Sequence, residues 1–276
     1  MQSIGIVGQG FVGQAVREGF DQYYSIKTYD KYKKSTCNSL EQLCNEAKII
    51  FICVPTPMNL DGSCNIKIVE SVVEEIDNYA DHHIAVIKST MPPGTTKMLN
   101  ERCEKIQVVF NPEFLTEANF LNDFKNQNRI ILGGPRPAST VIKNLYTKVF
   151  PNIPVIKTGS STAEMVKYFT NCFLATKVSF SNEIRQICEK KDVDYDKVVE
   201  YSLHDKRLGK SHFATPGPDL KFGFGGSCFP KDLNALIHIA KQLDIEPHVL
   251  EAVWNKNLEV RPEKDWEDLK GRAVNE

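Results

Sequence analysis

Over residues 1–158, short runs dense in isoleucine, valine and phenylalanine alternate with stretches whose apolar positions recur every three or four residues. The runs at 2–8, 25–30, 48–54, 84–89, 106–110, 129–133 and 154–157 have the length and β-branched content of buried strands. The stretches at 11–20, 39–46, 65–79, 95–104 and 137–148 carry a helical period. Strands separated by helices predict a parallel sheet with helices on both faces. After Gly159 the texture changes. From Ser161 to about Lys190 a helical period runs without a breaker, which predicts a helix of roughly 45 Å at 1.5 Å per residue. A helix of that length outruns one domain face. It is expected to be the spine of a second, all-α domain completed by helices at 194–204, 233–243 and 247–258.

The first apolar run passes directly into Gly8-Gln9-Gly10-Phe11-Val12-Gly13, so a strand, a glycine-rich turn and a helix follow one another. The pattern predicts a dinucleotide site. Gly8 makes the turn, Gly10 lets a diphosphate reach backbone N–H groups, and Gly13 lets helix and strand pack. Phe11 and Val12 open the helix whose N-terminus faces the anion. Alone the motif is weak, but the second strand ends in Asp30, at the spacing of a carboxylate that binds the adenosine ribose. Asp30 would repel a 2′-phosphate and so favours NAD over NADP, while Lys31, Lys33 and Lys34 pull the other way; an ordinary strand-end aspartate is the plainer alternative. Ligands of such sheets lie outside the carboxyl ends of the strands, which predicts Val54, Thr56, Ser89 and Thr90 along the cofactor cleft. The expected architecture is α/β. A Rossmann-type doubly wound parallel sheet binds NAD over 1–158, an all-α central and dimerisation domain with a long spine helix covers 159–260, and a tail covers 261–276.

With 34 Lys and Arg against 35 Asp and Glu, the net charge of −1 supplies no field to draw nucleic acid or an anionic membrane. No apolar run approaches the roughly 20 residues of a membrane helix. Eight cysteines spread over 276 residues, with no CxxC spacing and no signal peptide, predict reduced thiols in a cytoplasmic protein. Of six histidines, His82 and His83 adjoin at an expected turn and none has a partner at metal-ligand spacing, so no metal is expected.

Residues 223–232 read GFGGSCFPKD. Gly223, Gly225 and Gly226 permit backbone angles closed to other residues, so a ligand can approach the main chain around Cys228. Lys231 would favour the thiolate, the nucleophilic form. Asp232 is placed to cap the helix over 233–243, whose N-terminus favours the same thiolate. A buried structural cysteine is the plainer reading of a lone loop thiol; a cysteine, a lysine and an aspartate within five residues favour a nucleophile. In Asn111-Pro112-Glu113-Phe114-Leu115-Thr116-Glu117, the two glutamates are four apart and would share one face of a helix. Such a pair usually marks a solvated edge, but at the end of a strand beside a cofactor one of them can act as a general base. Lys167 and Asn171, also four apart, share a face of the long helix, where two exposed polar residues are the default.

The decapeptide around Cys228, the NPEFLTE segment at 111–117 and EMVKYFTN at 164–171 together resemble the UDP-glucose and GDP-mannose dehydrogenases. The resemblance spans nearly all of the chain but two of that family's three domains, since the sequence stops at Glu276. It implies that Cys228 carries the substrate as a covalent thioester and that Glu113 acts as acid/base. It implies that Lys167, Asn171 and Asp232 stabilise an oxyanion or position water, with Thr90 in the same constellation. It also implies Glu117 and Lys231 near the cofactor, and Glu113, Phe114, Leu115, Glu117, Lys167, Asn171, Phe222, Gly223, Phe224 and Gly225 around a nucleotide sugar. Arg207, in Lys206-Arg207-Leu208-Gly209, looks like the arginine that reaches a neighbouring subunit's substrate, although the following HFATPGPDLK is a few residues longer than in the family. The implied activity is NAD-dependent oxidation of the C6 alcohol of a nucleotide sugar, UDP-glucose foremost, in two hydride transfers. The implied assembly is a homodimer through the apolar residues Phe169, Phe173, Leu174, Val178 and Phe180. Two alternatives stand beside it. A 3-hydroxyacid dehydrogenase shares the two-domain plan and a helix lysine but gives Cys228 no role, and a non-catalytic or regulatory NAD-binding dimer is suggested by the missing third domain.

Overall fold

The structure, a computed structural model, describes residues 2–275. The chain divides into two compact units. One holds the chain up to Thr56 together with Ile66–Lys167; the other holds Pro57–Asn65 and the chain from Tyr168 onward.

The first unit is built on a seven-stranded sheet in the order β2-β1-β3-β4-β5-β6-β7. The strands are β1 (Ser3–Val7), β2 (Ser25–Tyr29), β3 (Ile49–Ile52), β4 (His83–Ile87), β5 (Ile106–Phe110), β6 (Ile130–Gly133) and β7 (Val155–Thr158). Along β3 successive residues enter opposite cores: Ile50 and Ile52 pack with Leu43, Val69 and Leu99, whereas Ile49 and Phe51 pack with Val16, Phe20 and Tyr146. Burial on both faces explains why the strand reads as a continuous apolar run. The covering helices are α1 (Phe11–Phe20), α2 (Leu40–Glu46), α3 (Lys67–Tyr79), α4 (Thr95–Arg102), α5 (Phe120–Lys125) and α6 (Arg136–Val149). Strand order reverses between β1 and β3, so the crevice beyond their carboxyl ends is the expected ligand position.

The sheet is mostly, not wholly, parallel. β6 runs antiparallel to β5, pairing Phe110 with Gly133, and is itself parallel to β7. The connection, residues 111–129, contains only the six-residue α5 and does not run back to the other end of β5. The chain therefore re-enters the sheet from the end it left. Residues 111–117 form no helix, so Glu113 and Glu117 share no helical face.

The long helix α7 runs Ser160–Lys190, and the division between the units falls inside it, after Lys167. The second unit continues with α8 (Tyr195–Ser202), α9 (Phe229–Gln242) and α10 (His248–Val260). Cys172, Ala175, Phe224, Leu233, Ile237 and Val253 form its core. Residues 261–275, expected as a tail, belong to this fold: Trp266 is 1% exposed and its ring lies 5.2 Å from that of Trp254. Met58 donates to the carbonyl of Ala273 and accepts from Asn275, joining Pro57–Asn65 to the end of the chain. No helix among the described residues is long and apolar enough to cross a membrane.

Candidate active site

In the first unit the glycine turn is set by close approach. A Cβ on Gly8, whose φ is +91°, would lie 2.7 Å from the carbonyl oxygen of Cys53, and one on Gly13 would lie 2.0 Å from that of Gly8. Neither position tolerates a side chain. At Gly10 the same addition meets no atom within 4 Å, and no side chain caps α1. The first N–H groups of α1 are thus left to an anion, in a cradle that a Cβ would fill.

Asp30 stands just past β2. One carboxylate oxygen accepts the amide of Gln9 at 2.6 Å, and the other those of Tyr32 at 2.9 Å and Lys33 at 3.0 Å. Burial would raise its pKa, but the three backbone bonds and the Lys33 charge outweigh it and hold the carboxyl below its ordinary range. A carboxylate has about four acceptor positions, so one remains for a ribose hydroxyl. Phe11 meets Phe120 edge to face at 6.2 Å, Val12 is half-buried, and Ser89 Oγ donates to the Val54 carbonyl at 2.6 Å. Thr56 and Thr90 are buried. These residues fit a dinucleotide that carries a diphosphate and an unsubstituted ribose.

Beyond β5, the buried Lys167 ammonium donates to the Glu113 carbonyl at 2.6 Å and to its carboxylate at 3.1 Å. The other Glu113 oxygen accepts the Leu115 amide at 2.7 Å. Phe114 lies between two cations, its ring 5.4 Å from the Lys167 nitrogen and 4.3 Å from the Arg129 guanidinium. A second buried lysine follows β4: Lys88 donates to Asn111 at 3.1 Å, and the same amide oxygen accepts the Tyr146 hydroxyl at 2.5 Å. Burial, together with the Lys167 charge and against that of Glu113, brings Lys88 down to about 8. Glu164, fully buried on α7, accepts the amides of Gly94 at 2.6 Å and Thr96 at 2.8 Å and the Thr96 hydroxyl at 2.6 Å. Burial raises its pKa despite these bonds.

In the second unit Cys228 occupies the N-cap position of α9, with Pro230 in the first turn. The helix begins four residues earlier than its sequence suggests, because proline suits a first turn whose N–H groups have no partner within the helix. Asp232 is consequently inside the helix and is not its cap. Its buried carboxylate accepts the Lys231 ammonium at 2.5 Å on one oxygen and the Asn171 amide at 2.6 Å on the other. Burial would lower the Lys231 pKa, but Asp232, Cys64 and Cys228 together raise it, which keeps the ammonium charged.

The cysteine loop is held from α10. Asn257 accepts the Phe224 amide at 2.7 Å and donates to its carbonyl at 2.9 Å. The buried Arg261 guanidinium donates to the Phe222 carbonyl and binds Asp219 and Asp265. It passes so close beneath Gly225 that a Cβ there would lie 2.5 Å from it. None of the eight cysteines is in a disulfide.

The first unit therefore brings Glu113, Phe114, Leu115 and Lys167 together, and the second brings Asn171, Lys231 and Asp232 together near the loop of Cys228. One expected residue lies elsewhere than anticipated. Phe224 is a core residue against Phe229 and Trp254, so its ring does not line the loop. Glu117 is exposed, apart from the buried Glu113. The Arg207 side chain is 88% exposed and paired with Asp205 of its own turn. Sequence reasoning missed Lys88, Glu164, Asn257 and Arg261. For Glu164 a signal existed, its position three residues before Lys167 on one helical face.

A doubly wound sheet with an open glycine turn and a carboxylate after β2 defines a dinucleotide-binding protein. Two family models match the chain: the NAD binding domain of the UDP-glucose/GDP-mannose dehydrogenase family over residues 18–150, and that family's central domain over residues 161–259. The UDP-glucose 6-dehydrogenase TuaD of Bacillus subtilis is 37% identical over 233 residues, 81% of this chain and 49% of TuaD. The UDP-glucose 6-dehydrogenase of Rickettsia bellii is 35% identical over 269 residues, 92% of this chain and 60% of that protein. A UDP-glucose dehydrogenase structure from Pyrobaculum islandicum superposes with a TM-score of 0.86 at 31% identity, covering 94% of this chain and 68% of that one. The chain belongs to the UDP-glucose/GDP-mannose dehydrogenase family, and NAD is the cofactor of its first unit. It spans roughly half the length of the curated relatives it matches.

Proposed function

We propose that this chain oxidises the C6 primary alcohol of a nucleotide sugar, UDP-glucose first among them, to the carboxylate. The observation that carries the reading is Cys228 at the N-cap of α9, followed within four residues by the Lys231–Asp232 pair to which Asn171 is bonded. Relatives named as UDP-glucose 6-dehydrogenases support the choice of substrate.

NAD, when bound, accepts hydride from the carbinol carbon. The alcohol loses hydride and a proton to give an aldehyde, and the Cys228 thiolate adds to its carbonyl carbon, favoured by the helix N-terminus and the Lys231 charge. The adduct is a thiohemiacetal, which loses a proton and, to a second NAD that has replaced the NADH formed first, a second hydride to become a thioester. Water then releases the carboxylate and returns the thiol. A thiol is required because an aldehyde must be held as a tetrahedral adduct before a second hydride can leave. Glu113, fixed by Lys167, takes or gives the proton; Lys167 and Asn171 donate to the developing oxyanion, and Asp232 orients water. The exposed aromatic face of α7 forms a homodimer surface, and cysteines outside any disulfide suit a cytoplasmic enzyme.

The wild-type chain should form two NADH and one acid per sugar. Cys228→Ser and Cys228→Ala should form no acid while NAD still raises the melting temperature. Acid formation at the wild-type rate by Cys228→Ala would overturn the mechanism. A thermal shift with NAD but with neither UDP-glucose nor GDP-mannose would favour a non-catalytic dinucleotide-binding protein.

A further inference from the structure

Two helix starts of the first unit that have glycine as N-cap, those of α1 and α4, are treated differently. At α1 no side chain reaches the N-terminal amides, and the space over Gly10 is open. At α4 the N-cap is Gly94, which has no side chain of its own to offer, and the donors that α4 presents are taken instead by Glu164 from the first turns of α7. One carboxylate thus satisfies two backbone amides and a hydroxyl, all within the first unit, and its negative charge sits at the positive end of the α4 dipole.

The stretch between these donors and Thr90 is short and stiff. It consists of Met91, Pro92, Pro93 and Gly94, where two pyrrolidine rings fix φ near −65°. Thr95 closes the turn by donating its amide and its hydroxyl to the Pro92 carbonyl at 3.1 and 2.7 Å. A displacement of Gly94 therefore reaches Thr90 with little loss. Three residues after Glu164, on the same helical face, Lys167 fastens the loop that carries Glu113. Successive positions of one helix hold both loops.

We propose that Glu164 is a positioning residue for the oxidation: an inter-element cap that fixes the Thr90 loop relative to Lys167 and Glu113, and that closes α4 to anions so that the cofactor diphosphate is left to α1. The kinetic half of the test rests on the function proposed above; the amide-exchange half does not.

The full-length Glu164→Ala chain leaves a carboxylate-sized hole, and formate is the probe. Hydrogen exchange at Gly94 and Thr96 should speed up at least tenfold in Glu164→Ala and slow again on adding formate, whereas wild-type exchange should be unaffected by it. With NAD and UDP-glucose, kcat should fall tenfold to a hundredfold, KM should change less than threefold, and formate should restore part of kcat. Glu164→Gln, which keeps the volume, should lose kcat in the same way, because its NH₂ faces an N–H, and formate should not rescue it. Unchanged exchange at Gly94 and Thr96 in both variants overturns the cap. Faster exchange with unchanged kcat overturns the positioning role. If the wild-type chain oxidises no sugar, the proposed function fails while the exchange data still decide the cap.

Discussion

Lys88 is the residue whose ionisation the fold disturbs most legibly. Its ordinary value of 10.5 falls to about 8 in the folded chain through burial, with Glu113 and Lys167 as its charged surroundings. The native lysine holds its proton less tightly than the unfolded one, so between about pH 8 and 10.5 the unfolded chain binds more protons and stability rises with pH. Below pH 8 the charged form costs on the order of 3 kcal/mol. Lys88→Met should therefore unfold at higher denaturant concentration than wild type at pH 7, by roughly 1 to 3 kcal/mol after loss of the Asn111 bond, and the advantage should shrink at pH 10. A variant less stable at pH 7 would mean that Lys88 is better satisfied than its burial implies. Residues of this kind were not legible in the sequence. A lysine or arginine reads as a surface group, and nothing in the spacing of Lys88 or Arg261 tells which charge will find buried partners; only Glu164 carried a signal, its place three residues before Lys167. Cys228 was legible because its neighbours in sequence are also its chemistry.

At the scale of elements, the glycine turn makes opposite predictions for two glycines three residues apart. Gly10→Val places its side chain in open space at negative φ, so melting temperature should hold within a few degrees while NAD affinity falls at least tenfold. Gly13→Ala places a methyl against the Gly8 carbonyl and should lower the melting temperature itself. Equal effects on both quantities from both variants would show that the turn is not the diphosphate site. Element types were readable because strands buried on both faces are apolar throughout and helices carry their period. Strand direction was not, since antiparallel β6 is as fully buried and apolar as a parallel strand. The start of α9 was misplaced for a related reason: Pro230 reads as a loop residue unless it is recognised as a first-turn residue.

For the whole molecule, the second unit exposes Phe169, Phe173 and Phe180 on α7 at 69, 53 and 59%, with the first two rings stacked at 6.2 Å. As the proposed dimer surface they predict a two-chain species in sedimentation velocity that Phe173→Glu converts to monomer; a wild-type chain that sediments as a monomer at all concentrations would remove the proposal. The chain also crosses from one unit to the other three times, after Thr56, after Asn65 and after Lys167. Pro57–Asn65 lies more than a hundred residues before the helices it joins, and its pairing partner Val274 lies more than two hundred residues after it. The helical half is therefore not a downstream module that can be cut away: a fragment beginning at Tyr168 would lack a strand-like segment synthesised long before it, and that early segment must wait for Val274 before it can be joined to the rest of its unit.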